Sequence, residues 1–542
     1  MFRTAGVQAR ALPWVIALLV AVPLLRLVVT AMTGTAGGPS AGIGELGLSR
    51  YALVSGQLAL GVVAGTVVIG TLTGWVCAHF VFPGSRVLSW LLVLPIAVPG
   101  YVVAYAYADL LQFSGPVQTW MRETWGLQPR QYWFPEVRSL GGAIAVFSLV
   151  LFPYVYLPAR AAFQSMPRSL VEVSLLSGVS GAALFRRVTL PLAWPAIAAG
   201  ALLTVMETLA DYGAVSHFAV DTFTVGIYKA WLGYGDRAAA VRLALVLLIA
   251  VAVLLAADAK LRGRRAFTNR RSPGAIVVPS VAKGPVAAAC VAVCVIPVVL
   301  GFVLPVGALG YLAWNEFDPE AWPRYLRAAR TSFATAGITS LVVVLVALVL
   351  VYAQRAGRSG RVALLNRFAS MGYAVPGAVL AIGILIPLAR FDNWLDAWAE
   401  RALGVDTGLL LTGSAAALIY AYVVRFLAIG LGNVGAGFER VTPHMDDAAR
   451  SLGTSGARLL ARVHLPLVWR VLAMAALLVF VDTLKELPAT LALRPFNFDT
   501  LATQAYHLAK DERLAEAAVP SLVIVAIAVL PAMLVTRITS SR

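Results

Sequence analysis

The stretch Asp447-Ala448-Ala449-Arg450-Ser451-Leu452-Gly453, followed by Val463 and then Leu465-Pro466, has a counterpart 275 residues upstream. There Glu172 stands for Asp447, Gly178 for Gly453, Val188 for Val463 and Leu190-Pro191 for Leu465-Pro466. Two further stretches recur in the same order. Ala97-Val98-Pro99-Gly100 returns as Ala374-Val375-Pro376-Gly377, and Glu207-Thr208-Leu209-Ala210-Asp211-Tyr212-Gly213-Ala214 returns as Asp482-Thr483-Leu484-Lys485-Glu486-Leu487-Pro488-Ala489. A fixed order at a nearly fixed offset is the mark of a duplicated unit.

What lies between these stretches sets the class. Of the 542 residues, 60% are hydrophobic and 13% charged, with mean hydropathy +0.82. Soluble domains carry about 45–50% apolar and about 25% charged residues. This excludes a soluble enzyme, a disordered chain and a disulfide scaffold. A helix crossing about 30 Å of hydrocarbon needs about 20 mainly apolar residues. Such runs lie near 12–32, 55–78, 87–111, 139–160, 192–212, 239–258, 285–311, 333–353, 370–389, 407–431, 467–486 and 519–536. The first is too long, and too soon followed by others, for a cleaved signal peptide. Six runs, an even number, separate the copies, so the repeat is parallel rather than inverted. The expected fold is an all-α polytopic membrane protein of two six-helix halves. Residues 1–258 form the first half, 259–284 a basic linker and 285–542 the second half.

The net charge of +17 might point to nucleic acid. Sorted by side, however, it follows the positive-inside rule. With both termini inside, the inner loops hold 24 of the 43 Lys and Arg residues and the outer loops 14. The linker, with Lys260, Arg262, Arg264, Arg265, Arg270 and Arg271, reads as a tether and an anchor to anionic inner-leaflet lipid. Cys290 and Cys294, four residues apart in an apolar run, read as an inert buried pair.

The duplicated loops 167–191 and 442–466 fall on the inner side, each just before an apolar run. Pro167 and Pro443 suit helix starts. Glu172, Asp446 and Asp447 fall in or near a first turn, where the helix dipole favours negative charge. Gly178 and Gly453 permit a backbone turn that other residues resist. Leu190-Pro191 and Leu465-Pro466 then open the next span. Two short helices with a bend make a rigid, exposed knob, suited to transmitting motion from a cytoplasmic partner.

The spacing resembles the EAA motif (Glu-Ala-Ala, three residues, Gly, nine residues, Ile-x-Leu-Pro) of the ABC importer permeases, type I. The resemblance implies a coupling helix that docks in a groove of an ATPase subunit. Glu172, Gly178 and Pro191 in one copy, and Asp447, Ala448, Ala449, Gly453 and Pro466 in the other, match it. The first copy departs at Val173-Ser174 and the second at Asp447. A phosphate-binding loop needs Gly-x-x-x-x-Gly-Lys-Ser/Thr. None of Lys229, Lys260, Lys283, Lys485 and Lys510 is followed by Ser or Thr, so ATP and Mg are expected on a partner ATPase, in two copies, and no cofactor or catalytic residue on this chain.

Glu207–Gly213, Val220-Asp221-Thr222-Phe223-Thr224, Lys485–Thr490 and Leu493–Thr500 make the chain similar to the fused ferric-iron permeases of this family. That resemblance implies iron delivered by a periplasmic binding protein to an inner-membrane, multi-pass permease. Related fused permeases import thiamine or phosphonate. Glu207 with Asp211, and Asp482 with Glu486, have i,i+4 spacing and so share a helix face. Glu207 lies about 24 Å beyond Pro191 along a helix, toward the outer mouth. Fe³⁺ is a hard cation that prefers oxygen ligands. The four carboxylates are therefore candidates for an acidic cation entry; the alternative is a packing network in which Lys485 neutralises a neighbouring acid. No metal ligand is assigned. Tyr101, Tyr105 and Tyr107 would line the path or sit in an interfacial aromatic belt. His217 and His507 read as outer loop residues, and His444 and His464 as flanking the second loop without a cluster. The rival of another class, an ion-driven secondary transporter, would show inverted repeats within each half and no partner ATPase.

Overall fold

A computed structural model describes residues 14–16, 18–23, 25–29, 47–128, 131–179, 181–263, 279–316, 318–357, 360–439, 441–454 and 456–540. Most of the linker's basic run, and the terminal arginines Arg3, Arg10 and Arg542, lie outside the described residues. The described elements are helices, apart from two-residue strands Phe80–Val81 and Ser280–Val281, which pair in parallel.

Among the described residues, nine helices are long and apolar enough to cross a membrane, and two further helix pairs pass the same test as bent spans. They fall on eleven of the runs read from the sequence; the run near 12–32 is represented by the shorter apolar helix Trp14–Pro23. The protein is thus an α-helical, multi-pass membrane protein.

Three runs differ in form. That at 87–111 breaks by 93° between Ser85–Ala97 and Gly100–Trp125. Val98, before Pro99, is extended (φ −87°, ψ 125°), as the proline ring requires of its predecessor. Val375 before Pro376 repeats this (φ −77°, ψ 96°), so the second copy also stops at Ala374 and restarts at Gly377. The run at 139–160 bends by 43° where Leu140–Leu151 meets Pro153–Gln164, at a proline without an amide hydrogen to donate. The run at 407–431 becomes helical only at Ala415. Before it, the amides of Thr407 and Gly408 bond to Asp396 and those of Leu411 and Thr412 to Asp392, so carboxylates take the donors a helix would have used.

Grouped by packing, the chain forms two compact units. One compact unit comprises Met1–Ser40, Ile227–Leu248 and Pro319–Gln504; the other comprises Ala41–Gly226, Ile249–Asp318 and Ala505–Arg542. Each takes segments from both sequence halves. Membrane helices associate where small residues let backbones meet, whatever their order in the chain. In the second unit a methyl group on Gly70 of the Leu48–His79 helix would lie 2.8 Å from the Tyr156 amide nitrogen. One on Gly301, from the other half of the sequence, would lie 2.4 Å from the Leu149 carbonyl oxygen. Cys290 and Cys294 are buried and free as expected, and the Cys77 sulfur lies 3.8 Å from that of Cys294.

The duplication survives in detail. Ser55 Oγ accepts from the Phe223 amide at 3.1 Å in one unit, and Ser332 Oγ from the Leu501 amide at 2.7 Å in the other. The two serines lie 277 residues apart, the two amides 278.

Candidate functional site

Each duplicated loop folds into the same succession of elements. Arg168–Leu176 and Pro443–Ser451 are surface helices. Short helices Gly181–Leu184 and Gly456–Leu459 follow, then wide-turn π segments Phe185–Thr189 and Leu460–His464. These run without a break into the long helices Leu190–Ala210 and Leu465–Leu484, with Pro191 and Pro466 in their first turns. Corresponding residues keep the offset of 275 throughout.

The two bends share one geometry. Gly178 and Gly453 have φ of +78° and +80°. The Val179 amide bonds back to the Ser174 carbonyl (3.0 Å), and the Thr454 amide to Ala449 (2.9 Å). This is the Schellman closure of a helix end, which puts glycine in the left-handed position. Pro443 opens its helix behind Thr442, and Asp446 lies in the first turn. Glu172 is past the first turn of its helix, so the dipole argument made for it holds only for the second copy. Glu172, Asp447, Ala448, Gly178, Gly453, Pro191 and Pro466 are all exposed and Ala449 half-buried; Asp447 pairs with Arg450 at 3.2 Å. Leu176 and Leu452 are 89% and 84% exposed, large apolar groups at the tip of each knob.

Beneath the second knob lies a group that sequence reading missed. Asp446 is buried, with Arg355 Nε and His464 Nε2 each 2.8 Å from its carboxylate. The Arg355 guanidinium also donates to the carbonyls of Phe438 and Val441. His464, read as solitary, is fully buried, with Tyr352 and Phe438 packed edge-on against its ring. Burial pushes the Asp446 carboxyl up, but the hydrogen bonds from Arg355 and His464 outweigh it and hold the group below the usual carboxylate range. In the first copy the corresponding positions are Ala78, Val171 and Thr189, and rings pack nearby: Trp75 packs edge-on against Phe80 and Phe185.

At the far ends of the long helices stand the four carboxylates. The i,i+4 expectation fails for both pairs, because the helices end at Ala210 and Leu484, before the second acid of each. Asp211 is extended (φ −69°, ψ 142°), and its Oδ1 accepts from the Ala214 and Val215 amides at 2.9 and 3.2 Å. Glu486 plays the same part, accepting from the Ala489 and Thr490 amides at 2.9 and 3.1 Å. Both acids cap the next short helix. A Cβ on Gly100 would lie 3.8 Å from Asp211 Oδ2, and one on Gly377 would lie 2.7 Å from Glu486 Oε1. The repeated Pro-Gly stretch is therefore folded against the repeated acid in both units.

The copies differ in charge. Glu486 faces Arg425, 3.9 Å away and also buried. Val150 stands where Arg425 stands, and Asp211 has no ion pair among the described residues. Asp482 pairs with Lys485 at 2.7 Å, as the packing alternative anticipated. Glu207 and Asp211 belong to one compact unit, Asp482 and Glu486 to the other. Tyr101, Tyr105 and Tyr107 are buried rather than arrayed in a belt, and Tyr107 is committed to the Leu300 carbonyl at 2.6 Å. His217 packs against Tyr105, with ring centroids 4.7 Å apart. Among the described residues no three His, Cys, Asp or Glu side chains gather as a metal site.

Residues 67–261 match the family described as binding-protein-dependent transport system inner membrane component. An Fe(3+)-transport system permease protein of Haemophilus influenzae is 24% identical over 88% of this chain and 87% of its own length. A probable ABC transporter permease protein of Sinorhizobium fredii is 25% identical over 84% of this chain and 82% of its own. A sulfate transport system permease protein of Escherichia coli is 32% identical over 30% of this chain and 52% of its own. Such permeases work with an ATPase and a periplasmic binding protein, and are transport subunits rather than enzymes. Residues 67–261 thus carry the likeness to this inner-membrane component family, and over most of its length the chain is similar to permease proteins of ABC transport systems.

Proposed function

We propose that this permease imports ferric iron handed over by a periplasmic binding protein, with one ATPase copy docked on each of the loops 167–191 and 442–466. The observation that carries the docking is the pair of surface knobs, alike element by element at a constant offset, each continuous with a long helix. Exposed Leu176 and Leu452 suit a partner's groove, since large apolar groups at the surface mark interaction sites. Glu172 and Asp447 supply its charge. Rotation of a docked knob would pass through the π segment into Leu190–Ala210 or Leu465–Leu484, the helices whose far ends carry Asp211 and Glu486. ATP and Mg belong to the partner. Both termini and the 259–284 linker face the cytoplasm, where the basic residues outnumber those outside.

Iron as cargo is supported by the relative that shares nearly the whole length of the chain and is named for Fe(3+). Unpaired Asp211, with no cation in the Val150 position, also favours a cationic cargo. Sulfate is the second reading, favoured by the shorter but more identical relative named for it; thiamine and phosphonate are further members of the same class. The test is uptake by proteoliposomes holding the permease, its ATPase and its binding protein. ATP-dependent accumulation of iron, with two ATPase copies per permease, supports the reading. Accumulation of sulfate, thiamine or phosphonate in its place overturns the iron assignment. Full uptake without any ATPase overturns the docking.

A further inference from the structure

Four phenols and one carboxylate converge in the unit that holds the first copy of the duplicated acid. Tyr105 is 1% exposed, and its hydroxyl has no hydrogen-bond partner among the described residues. It lies within electrostatic reach of Tyr101, Asp211, Tyr212 and Tyr506. The Tyr101 and Tyr105 rings are 5.8 Å apart, and the Tyr506 hydroxyl donates to that of Tyr212 at 3.2 Å. Asp211 spends Oδ1 on the two capping amides, while its Oδ2 makes no hydrogen bond or ion pair among the described residues.

The fold does not require this group. At the corresponding positions of the second copy stand Ala378 for Tyr101, Ile382 for Tyr105 and Leu487 for Tyr212. There the acid is Glu486, neutralised by Arg425. The same backbone is built twice, once with apolar side chains at these three positions and a paired acid, once with phenols around an acid that has no ion pair among the described residues; the fourth phenol, Tyr506, has a tyrosine counterpart in Tyr228. Leaving a buried hydroxyl without a partner destabilises the fold. A function outside folding is the natural return for that cost.

We propose that Tyr101, Tyr105, Asp211, Tyr212 and Tyr506 form a single, one-sided coordination site for a hard trivalent cation in transit. Carboxylate and phenol oxygens are hard donors, the kind hard cations select. The negative charge of Asp211 turns oxyanions away. As a phenol oxygen bonds to the ion, its O–H bond breaks and the proton goes to water; the reverse occurs as the ion leaves, and no electron is transferred. The site rests on the iron reading above and gives it a location.

The test uses the complete permease–ATPase complex with ferric citrate as the probe. Wild-type complex should show a visible phenolate-to-iron charge-transfer absorption, and Tyr105→Phe should lose it. Asp211→Asn keeps an oxygen to cap the 213–217 helix but loses the charge. Both variants should lower iron uptake at least tenfold while the permease still assembles with its ATPase. Tyr107→Phe, whose hydroxyl is committed elsewhere, should match wild type. Iron uptake undiminished in Tyr105→Phe and Asp211→Asn, with no absorption band in wild type, overturns the site and leaves the iron reading standing. Sulfate uptake without iron uptake by wild type overturns both.

Discussion

His464 Nε2 lies 2.8 Å from Asp446 Oδ1, across eighteen residues that include the whole bend of the second cytoplasmic knob. Arg355, from a third element, closes the group on the other carboxylate oxygen at 2.8 Å. The knob's first turn is thereby tied to the start of the long helix behind it. Removing one member of a buried charged group strands the rest, at about 3–5 kcal/mol. Asp446→Ala should lower the thermal unfolding temperature of the solubilised complex and slacken the link between ATP hydrolysis and uptake. Val171→Ala, at the apolar counterpart in the first copy, should do neither to the same degree. Equal effects at both positions would contradict this.

The same carboxylate gives a pH dependence. Its folded value is held below the unfolded value of about 3.9 by the hydrogen bonds from Arg355 and His464. A depressed carboxyl stabilises the folded state above its unfolded pKa, and the contribution disappears as pH falls through the folded one. Below about pH 4 the unfolding temperature of wild type should therefore drop toward that of Asp446→Asn. Parallel curves for the two proteins from pH 7 to pH 3 would count against it.

A side chain at the knob glycines meets no neighbour. Nothing lies within 4 Å of a Cβ on Gly178 or Gly453, so the penalty is one of backbone alone. The left-handed conformation costs a residue with a Cβ about 1–2 kcal/mol, less for Asn. Gly453→Val should uncouple ATPase from uptake, and Gly453→Asn should retain most coupling. Indistinguishable coupling ratios for the two would mean that the φ of +80° is not what matters.

The two Pro-Gly breaks invite a comparison. A methyl on Gly377 would lie 2.7 Å from both Arg425 Nη1 and Glu486 Oε1, while one on Gly100 first meets Phe147 at an ordinary 3.4 Å. Gly377→Ala should destabilise the complex by 1–3 kcal/mol, roughly the cost of an overpacked core, and Gly100→Ala should be nearly neutral. Denaturation of the two variants side by side measures the difference.

Much of this was legible in the chain itself, for reasons that also mark where legibility stops. Runs of about 20 apolar residues announce spans. The 93° turn at Pro99 depends on packing that a proline alone does not encode. Glycine at fixed spacing gave the knobs, since the left-handed position of a Schellman bend is a local requirement. The carboxylate pairs misled because i,i+4 spacing carries no mark of a helix ending between the two residues. Asp446, Arg355 and His464 were out of reach, their partners lying 91 and 18 residues apart. Interleaving of the compact units was hidden too, as apolar periodicity does not say which neighbour a span will choose.

The central claim is that both knobs receive force from an ATPase. Its most direct measurement is ATP hydrolysis and solute uptake, recorded together in proteoliposomes, for Glu172→Arg and Asp447→Arg with loaded binding protein present. The account predicts that each reversal abolishes stimulation of hydrolysis by the binding protein and lowers uptake at least tenfold. Wild-type stimulation and uptake in both variants would contradict it.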